Sequence, residues 1–162
     1  MKAMQPPNDH ELISRLEAAL QARSMLLQQH NQGVVRLFNG FYEGCPYLVA
    51  DLYAGTLVLY GYGQEEQTAL DLLNTAQAFY LSTLPGVDCV LQKFRYAQDA
   101  SKRKGVLSYG DRLANSIVEQ QVRYALDLRL NQDACFYAYT RQLRSWLIQN
   151  STGKNVLNLF AY

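Results

Sequence analysis

The stretch from Asn155 to Tyr162 constrains this chain more than any other. Val156-Leu157-Asn158-Leu159-Phe160-Ala161-Tyr162 is a short, mostly apolar run that follows Asn150-Ser151-Thr152-Gly153, a Gly-containing helix stop. The pattern predicts a strand buried on both faces of a parallel sheet, entered from a helix over roughly Thr140 to Gln149. Such a strand is not stable alone. It needs parallel neighbours and crossover helices, and in a doubly wound sheet a Gly-rich turn and a helix N-terminus follow its C-terminal end. The sequence reaches Tyr162 before any such turn. The expectation is an accessory domain over 1–130 and the opening of a second domain over 131–162.

A length of 162 residues, half of them apolar, supplies a sizeable core. Fifteen basic against fourteen acidic residues leave the chain near neutrality, so any basic surface has to be local. Cys45, Cys89 and Cys135 are far apart and lack a CxxC spacing, which argues against a disulfide framework or a zinc site and for a reducing cytoplasm. No metal ligand set is predicted. No apolar run approaches the length of a membrane span, and Pro6-Pro7 stands where a signal peptide would be apolar.

Asn8 or Asp9 caps a helix predicted to run to about His30, with Leu12, Leu16, Ala19, Leu20, Leu26 and Leu27 near helical spacing. Strands are predicted over Val34 to Phe38, Tyr47 to Tyr53 and Thr56 to Tyr62, the last two joined by Ala54-Gly55. A helix from Glu65 or Glu66 to Leu84 and a strand from Asp88 to Tyr96 follow. Gln98 to Gly110 is polar and reads as an exposed loop, and two strands over Ser116 to Gln120 and Arg123 to Leu130 read as another hairpin or as a link into the next domain. Asn131-Gln132-Asp133 reads as the capping segment of the last helix.

Two groups of side chains invite a functional reading. Lys93, Phe94, Arg95 and Tyr96, followed by Lys102-Arg103-Lys104, interleave charge with aromatics as RNA-binding surfaces do. Alternation along a strand would put Lys93 and Arg95 on one face, so the competing reading is a half-buried edge strand with a solvated loop. The cysteines suggest nucleophiles, but Cys89 fits a core strand, Cys45 a turn and Cys135 a helix start, and no catalytic residue is assigned. His10 and His30 flank the first helix as surface or capping residues.

Three stretches resemble a known family. Arg36-Leu37-Phe38-Asn39-Gly40 through Glu43-Gly44-Cys45-Pro46, continuing as Leu48-Val49-Ala50-Asp51-Leu52-Tyr53-Ala54-Gly55-Thr56-Leu57-Val58, is the first. Tyr124-Ala125-Leu126-Asp127-Leu128 with Asn131-Gln132-Asp133-Ala134-Cys135-Phe136-Tyr137 and Arg141 is the second, and Val156 to Tyr162 is the third. In this order they resemble the S-adenosylmethionine-dependent methyltransferases that modify carbon five of cytosine in large-subunit ribosomal RNA. Two positions depart from that pattern, Cys135 where the family has Gly and Tyr139 where it has Asp.

The resemblance implies S-adenosylmethionine as the cofactor of the intact parent protein, with Phe136, Arg141, Asn158, Phe160 and Tyr162 near it. It also implies RNA as partner, for which the charge and aromatic pattern, not the resemblance, nominates Lys93, Arg95, Lys102, Arg103 and Lys104 as contacts. The Gly-rich loop, the ribose-binding acid and the catalytic Cys of the family all lie beyond Tyr162, so this chain is expected to bind no cofactor by itself and to be inactive. The resulting fold class is α+β: an antiparallel sheet with helices on one face, plus the first helix and strand of a truncated Rossmann-like methyltransferase domain. An alternative reading is a non-catalytic module that forms a homodimer through its unfinished terminal strand.

Overall fold

The computed structural model describes residues 6–30, 32–63, 65–130, 134 and 136–157. Helix α1 (Asp9–Ala22) starts where Asn8 accepts a hydrogen bond from the Glu11 amide at 3.0 Å, and it buries Leu12, Leu16 and Ala19. The single long helix read from the sequence is interrupted at Arg23, after which α2 (Ser24–Gln29) covers one and a half turns with no buried side chain. Arg23 marks the break because its guanidinium turns back to the Ala19 carbonyl at 3.0 Å and pairs with Glu43.

Strands β1 (Val34–Asn39), β2 (Leu48–Tyr53) and β3 (Thr56–Gly61) form an antiparallel meander. Ala54 takes a positive φ of 49° in the tight β2–β3 connection. Helix α3 (Glu66–Thr83) then crosses over, and β4 (Cys89–Phe94) returns parallel to β3. The sheet is therefore mixed rather than wholly antiparallel, because a helical crossover delivers the next strand in the same direction.

The segment read as an exposed loop over Gln98 to Gly110 folds instead. Helix α4 (Ala100–Lys104) is capped by Asp99, which accepts from the Ser101 amide at 2.8 Å, and β5 (Val106–Tyr109) pairs antiparallel with β4. The order in the sheet is β1-β2-β3-β4-β5, so β4 is an interior strand. A two-stranded hairpin, β6 (Ser116–Glu119) and β7 (Val122–Ala125), follows, and the strand predicted to reach Leu130 ends at Ala125. A 3-10 turn over Ala138–Thr140 leads into α5 (Arg141–Asn150).

Both faces of the sheet are covered. On one, α1 and α3 pack against Val35, Leu37, Phe38, Ala50, Leu57, Leu59 and Val90. On the other, Ile117, Leu126, Leu128 and Ala134 pack against Val34, Tyr53, Val58, Tyr60 and Leu91. Each fully buried Leu in these layers contributes roughly 1.5–3 kcal/mol. Asn155 to Leu157, where the terminal strand was expected to begin, has no strand pairing; Val156 and Leu157 are exposed. Leu159 and Ala161, together with the predicted cap at 131–133, lie outside the described residues. Among the described residues no helix is long and apolar enough to cross a membrane.

Candidate nucleic-acid interface

The end of the sheet where β2 begins and β3 and β4 finish gathers aromatic and basic side chains. Leu48 pairs with Gly61 and Gly61 with Phe94, so the residues just outside the sheet at this end are neighbours. The Tyr62 amide donates to the Tyr47 carbonyl at 2.8 Å, and the Arg95 amide to the Gly61 carbonyl at 2.9 Å. These bonds place the Arg95 guanidinium carbon 5.7 Å from the centre of the Tyr62 ring, and the Tyr96 ring meets Tyr62 edge-on at 6.5 Å. Tyr96 is 60 % exposed.

The β1–β2 loop stands at the same end. It is braced by Arg15 donating to the Gly44 carbonyl, by the Arg23–Glu43 ion pair, and by the Asn39 amide donating to Glu43 at 2.6 Å. Gly40 is required here, since a Cβ would lie 2.0 Å from the Cys45 carbonyl oxygen and 2.1 Å from that of Leu48. On this fixed loop Phe41 and Tyr42 are more than four-fifths exposed. Exposed aromatic pairs beside cationic side chains are the usual stacking surface for unpaired bases.

The basic residues singled out from the sequence divide into distinct groups. Lys93 is fully buried on the interior strand β4, with its ammonium 5.9 Å from the centre of the Tyr60 ring. The half-buried edge strand read from alternation is thus corrected: β5 covers one side of β4 and β3 the other, and Lys93 has no access to a phosphate in this structure. Lys102 pairs with Glu66, and Arg103 donates to the Ala97 and Gln98 carbonyls at 2.6 and 2.7 Å, fixing the turn after Tyr96. Lys104 is exposed.

A second constellation lies on the sheet face opposite α1 and α3. Arg36 and Asp51 are paired across β1 and β2, through Nε at 2.8 Å and Nη2 at 2.9 Å. Burial pushes the Asp51 carboxyl upward against the pull of Arg36, and that carboxylate holds the guanidinium charged. Tyr60 is pushed up as well, first by burial and then by Tyr53 and Asp51, and it hydrogen-bonds Tyr53. Tyr53 in turn donates to the Phe136 carbonyl at 2.9 Å, tying the sheet to the segment before α5.

Glu119 on β6 anchors α5. Its buried carboxylate receives Arg141 Nε at 2.7 Å and Arg144 Nε at 2.7 Å, while Arg141 also donates to the Val34 carbonyl. Arg144 stacks 4.2 Å from the centre of the Phe136 ring, whose edge meets Tyr124 at 5.0 Å. Arg141 and Phe136, read as cofactor contacts, are thus engaged in joining α5 to the hairpin. Asn158, Phe160 and Tyr162, the other three, lie outside the described residues.

Cys45 and Cys89 are buried with their thiols pushed up, chiefly by burial, which is the environment of inert core cysteines. Cys135 lies outside the described residues. Among the described residues no three His, Cys, Asp or Glu side chains converge as a metal site would need. The Arg36–Asp51 pair, the buried Glu119 and the rigid aromatic loop were not singled out by sequence reasoning. Arg36 and Asp51 both lie in the first of the three family-like stretches, but only strand register shows that they face each other.

The profile of S-adenosylmethionine-dependent methyltransferases matches residues 35–162. A ribosomal RNA large subunit methyltransferase of Deinococcus radiodurans is 29% identical, over 92% of this chain and 38% of its own length. YwbD of Bacillus subtilis, provisionally named as a large-subunit ribosomal RNA methyltransferase, is also 29% identical, over 96% of this chain and 41% of its own. The chain spans about two fifths of the length of these curated relatives. A Streptococcus mutans protein provisionally described as a SAM-dependent methyltransferase superposes with a TM-score of 0.74 at 17% identity, covering 92% of this chain and 38% of that one. A second solved structure, provisionally named a methyltransferase and complexed with SAH, gives the same TM-score and identity. With the profile covering most of its residues, the chain belongs to the S-adenosylmethionine-dependent methyltransferase family.

Proposed function

We propose that these 162 residues comprise a non-catalytic, RNA-facing accessory domain of an RNA methyltransferase together with the opening of its methyltransferase domain. The reaction of the parent is methyl transfer from S-adenosylmethionine to an RNA base, with carbon five of cytosine in large-subunit ribosomal RNA as the specific target, in the cytoplasm. The observation that carries this reading is the sheet end where Arg95 and Tyr96 pack against Tyr62, with the exposed Phe41–Tyr42 loop at the same end and the basic turn of α4 shortly after in the chain. Stacking rings with adjacent positive charge suit single-stranded RNA, in which bases are splayed out.

RNA contact runs through Arg95, Lys102, Arg103 and Lys104 in this reading. Lys93 acts from inside, holding the Tyr60 side of the sheet. Phe136 and Arg141 brace the cofactor region, and Asn158, Phe160 and Tyr162 sit nearer the adenosine in the intact enzyme. The division at 130/131 separates the RNA-facing part from the methyltransferase part. Replacing Lys102, Arg103 and Lys104 together by Ala and measuring RNA affinity by filter binding tests the reading; unchanged affinity removes it.

A second reading rests on a different surface. Leu143, Trp146, Ile148, Val156 and Leu157 are all about half exposed or more, so α5 and the residues after it present apolar area. This is the place for self-association, and sedimentation showing a dimer that Trp146→Glu dissociates would favour a freestanding interaction module.

A further inference from the structure

A cavity of about 150 Å³ opens on the sheet face that carries the Arg36–Asp51 pair. Its lining includes Tyr60, Tyr62, Phe136 and Tyr139, with the ion pair as the polar element. That volume is below the roughly 300–1,000 Å³ of pockets that take drug-sized ligands, which restricts an occupant to one planar ring system. Tyr139 is 70 % exposed and Tyr137 48 % exposed, so the rim is open to solvent, whereas Asp51 beneath is 1 % exposed.

We propose that this cavity receives one unpaired nucleobase of a bound RNA strand. The inference rests on the RNA-facing reading above and names the subsite within it. The exposed rim rings of Tyr137 and Tyr139 offer π-faces on which any base can stack. Arg36 gives two of its five N–H donors to Asp51, and with about a third of its side chain exposed it presents the others to an acceptor-bearing base edge, as on cytosine or guanine. The Asp51 carboxylate fixes the guanidinium plane, so the donors are oriented before a base arrives. Tyr62 is shared between the cavity and the Arg95–Tyr96 stack, which makes the two surfaces continuous. A strand lying along the sheet end could thus insert one base while its backbone follows the cations.

The test uses the 162-residue chain and fluorescein-labelled single-stranded hexaribonucleotides of cytidine, one intact and one with a single abasic position, read by anisotropy over a range of salt. The intact strand is expected to bind about tenfold more tightly than the abasic one. Tyr139→Ala, at a mostly exposed position, should erase that difference without changing the salt dependence; Tyr62→Ala, checked for folding by circular dichroism, should do the same. Replacing Lys102, Arg103 and Lys104 by Ala should flatten the salt dependence and preserve the intact-to-abasic ratio. Equal binding of the two strands, or no effect of Tyr139→Ala while the cationic variant still weakens binding, overturns the pocket and leaves the RNA reading standing. No RNA binding at all overturns both. Displacement of the strand from this cavity by S-adenosylmethionine overturns the RNA-base assignment in favour of the cofactor's adenine.

Discussion

Arg36 and Asp51 meet across β1 and β2 through two parallel hydrogen bonds of 2.8 and 2.9 Å, on a sheet face otherwise filled by tyrosines and aliphatic side chains. The pair sits just before the bulge between Arg36 and Phe38, where the register of β1 against β2 shifts. Removing the carboxylate leaves the guanidinium beside a buried apolar layer. Breaking a fully buried pair costs about 3–5 kcal/mol, and because Arg36 is partly solvated Asp51→Ala should cost about 2–3 kcal/mol in urea unfolding. A loss below half a kcal/mol would show that the pair is not an organising contact.

The same carboxylate sets a pH signature. Burial raises Asp51 above the ordinary carboxylate range, so the folded chain binds that proton more tightly than the unfolded one. Its contribution to stability is complete below the unfolded value of about 4 and is lost as pH rises through the raised folded value. The stability of the wild type relative to Asp51→Asn should therefore decline as pH climbs from about 4. The opposite trend would mean that Arg36 outweighs burial.

Glu119 holds both Arg141 and Arg144, and α5 buries no side chain of its own. The helix is docked by charge rather than by apolar packing. Glu119→Ala should expose the amides of 141–150 in hydrogen exchange and protect the five-stranded sheet as before. Unchanged exchange in α5 would show that the stacking of Arg144 on Phe136 is sufficient.

Gly40 and Gly86 separate two costs of adding a methyl group. At Gly40 the new Cβ strikes two carbonyl oxygens, so Gly40→Ala should cost more than about 3 kcal/mol or prevent folding. At Gly86 the φ of 88° is strained for alanine but nothing lies within 4 Å, and Gly86→Ala should cost about 1–2 kcal/mol. Equal midpoints in urea would contradict the geometry of the β1–β2 loop.

Tyr80 is fully buried on α3 and its hydroxyl has no hydrogen-bond partner among the described residues. Such a group carries a desolvation penalty of about 1–3 kcal/mol, so Tyr80→Phe should leave stability unchanged or raise it by about 1 kcal/mol. A clear loss would reveal an unseen polar partner.

Much of this fold could be read from the chain because β1, β2, β3, α3 and β4 carry strong apolar patterns that tertiary packing then confirms. What escaped has physical causes. An apolar strand such as β3 pairs equally well in either direction, and only the crossover decides that β4 runs parallel to it. The region 98–110 is polar because β5 is an edge strand with mostly exposed side chains, and α4 is held by the Asp99 cap and by Arg103 reaching back to two carbonyls. Lys93 looked accessible because alternation specifies a face and not what covers it. The Arg36–Asp51 pair and the Glu119 anchor bring together residues 15 to 25 positions apart, which register and docking determine.

The most direct measurement of the central claim is the affinity of the chain for a single-stranded hexaribonucleotide as a function of salt. Binding that weakens steadily as salt rises, with a slope reduced when Lys102, Arg103 and Lys104 become Ala, is the predicted result. Absence of binding at low salt, or a slope indifferent to those three residues, would contradict it.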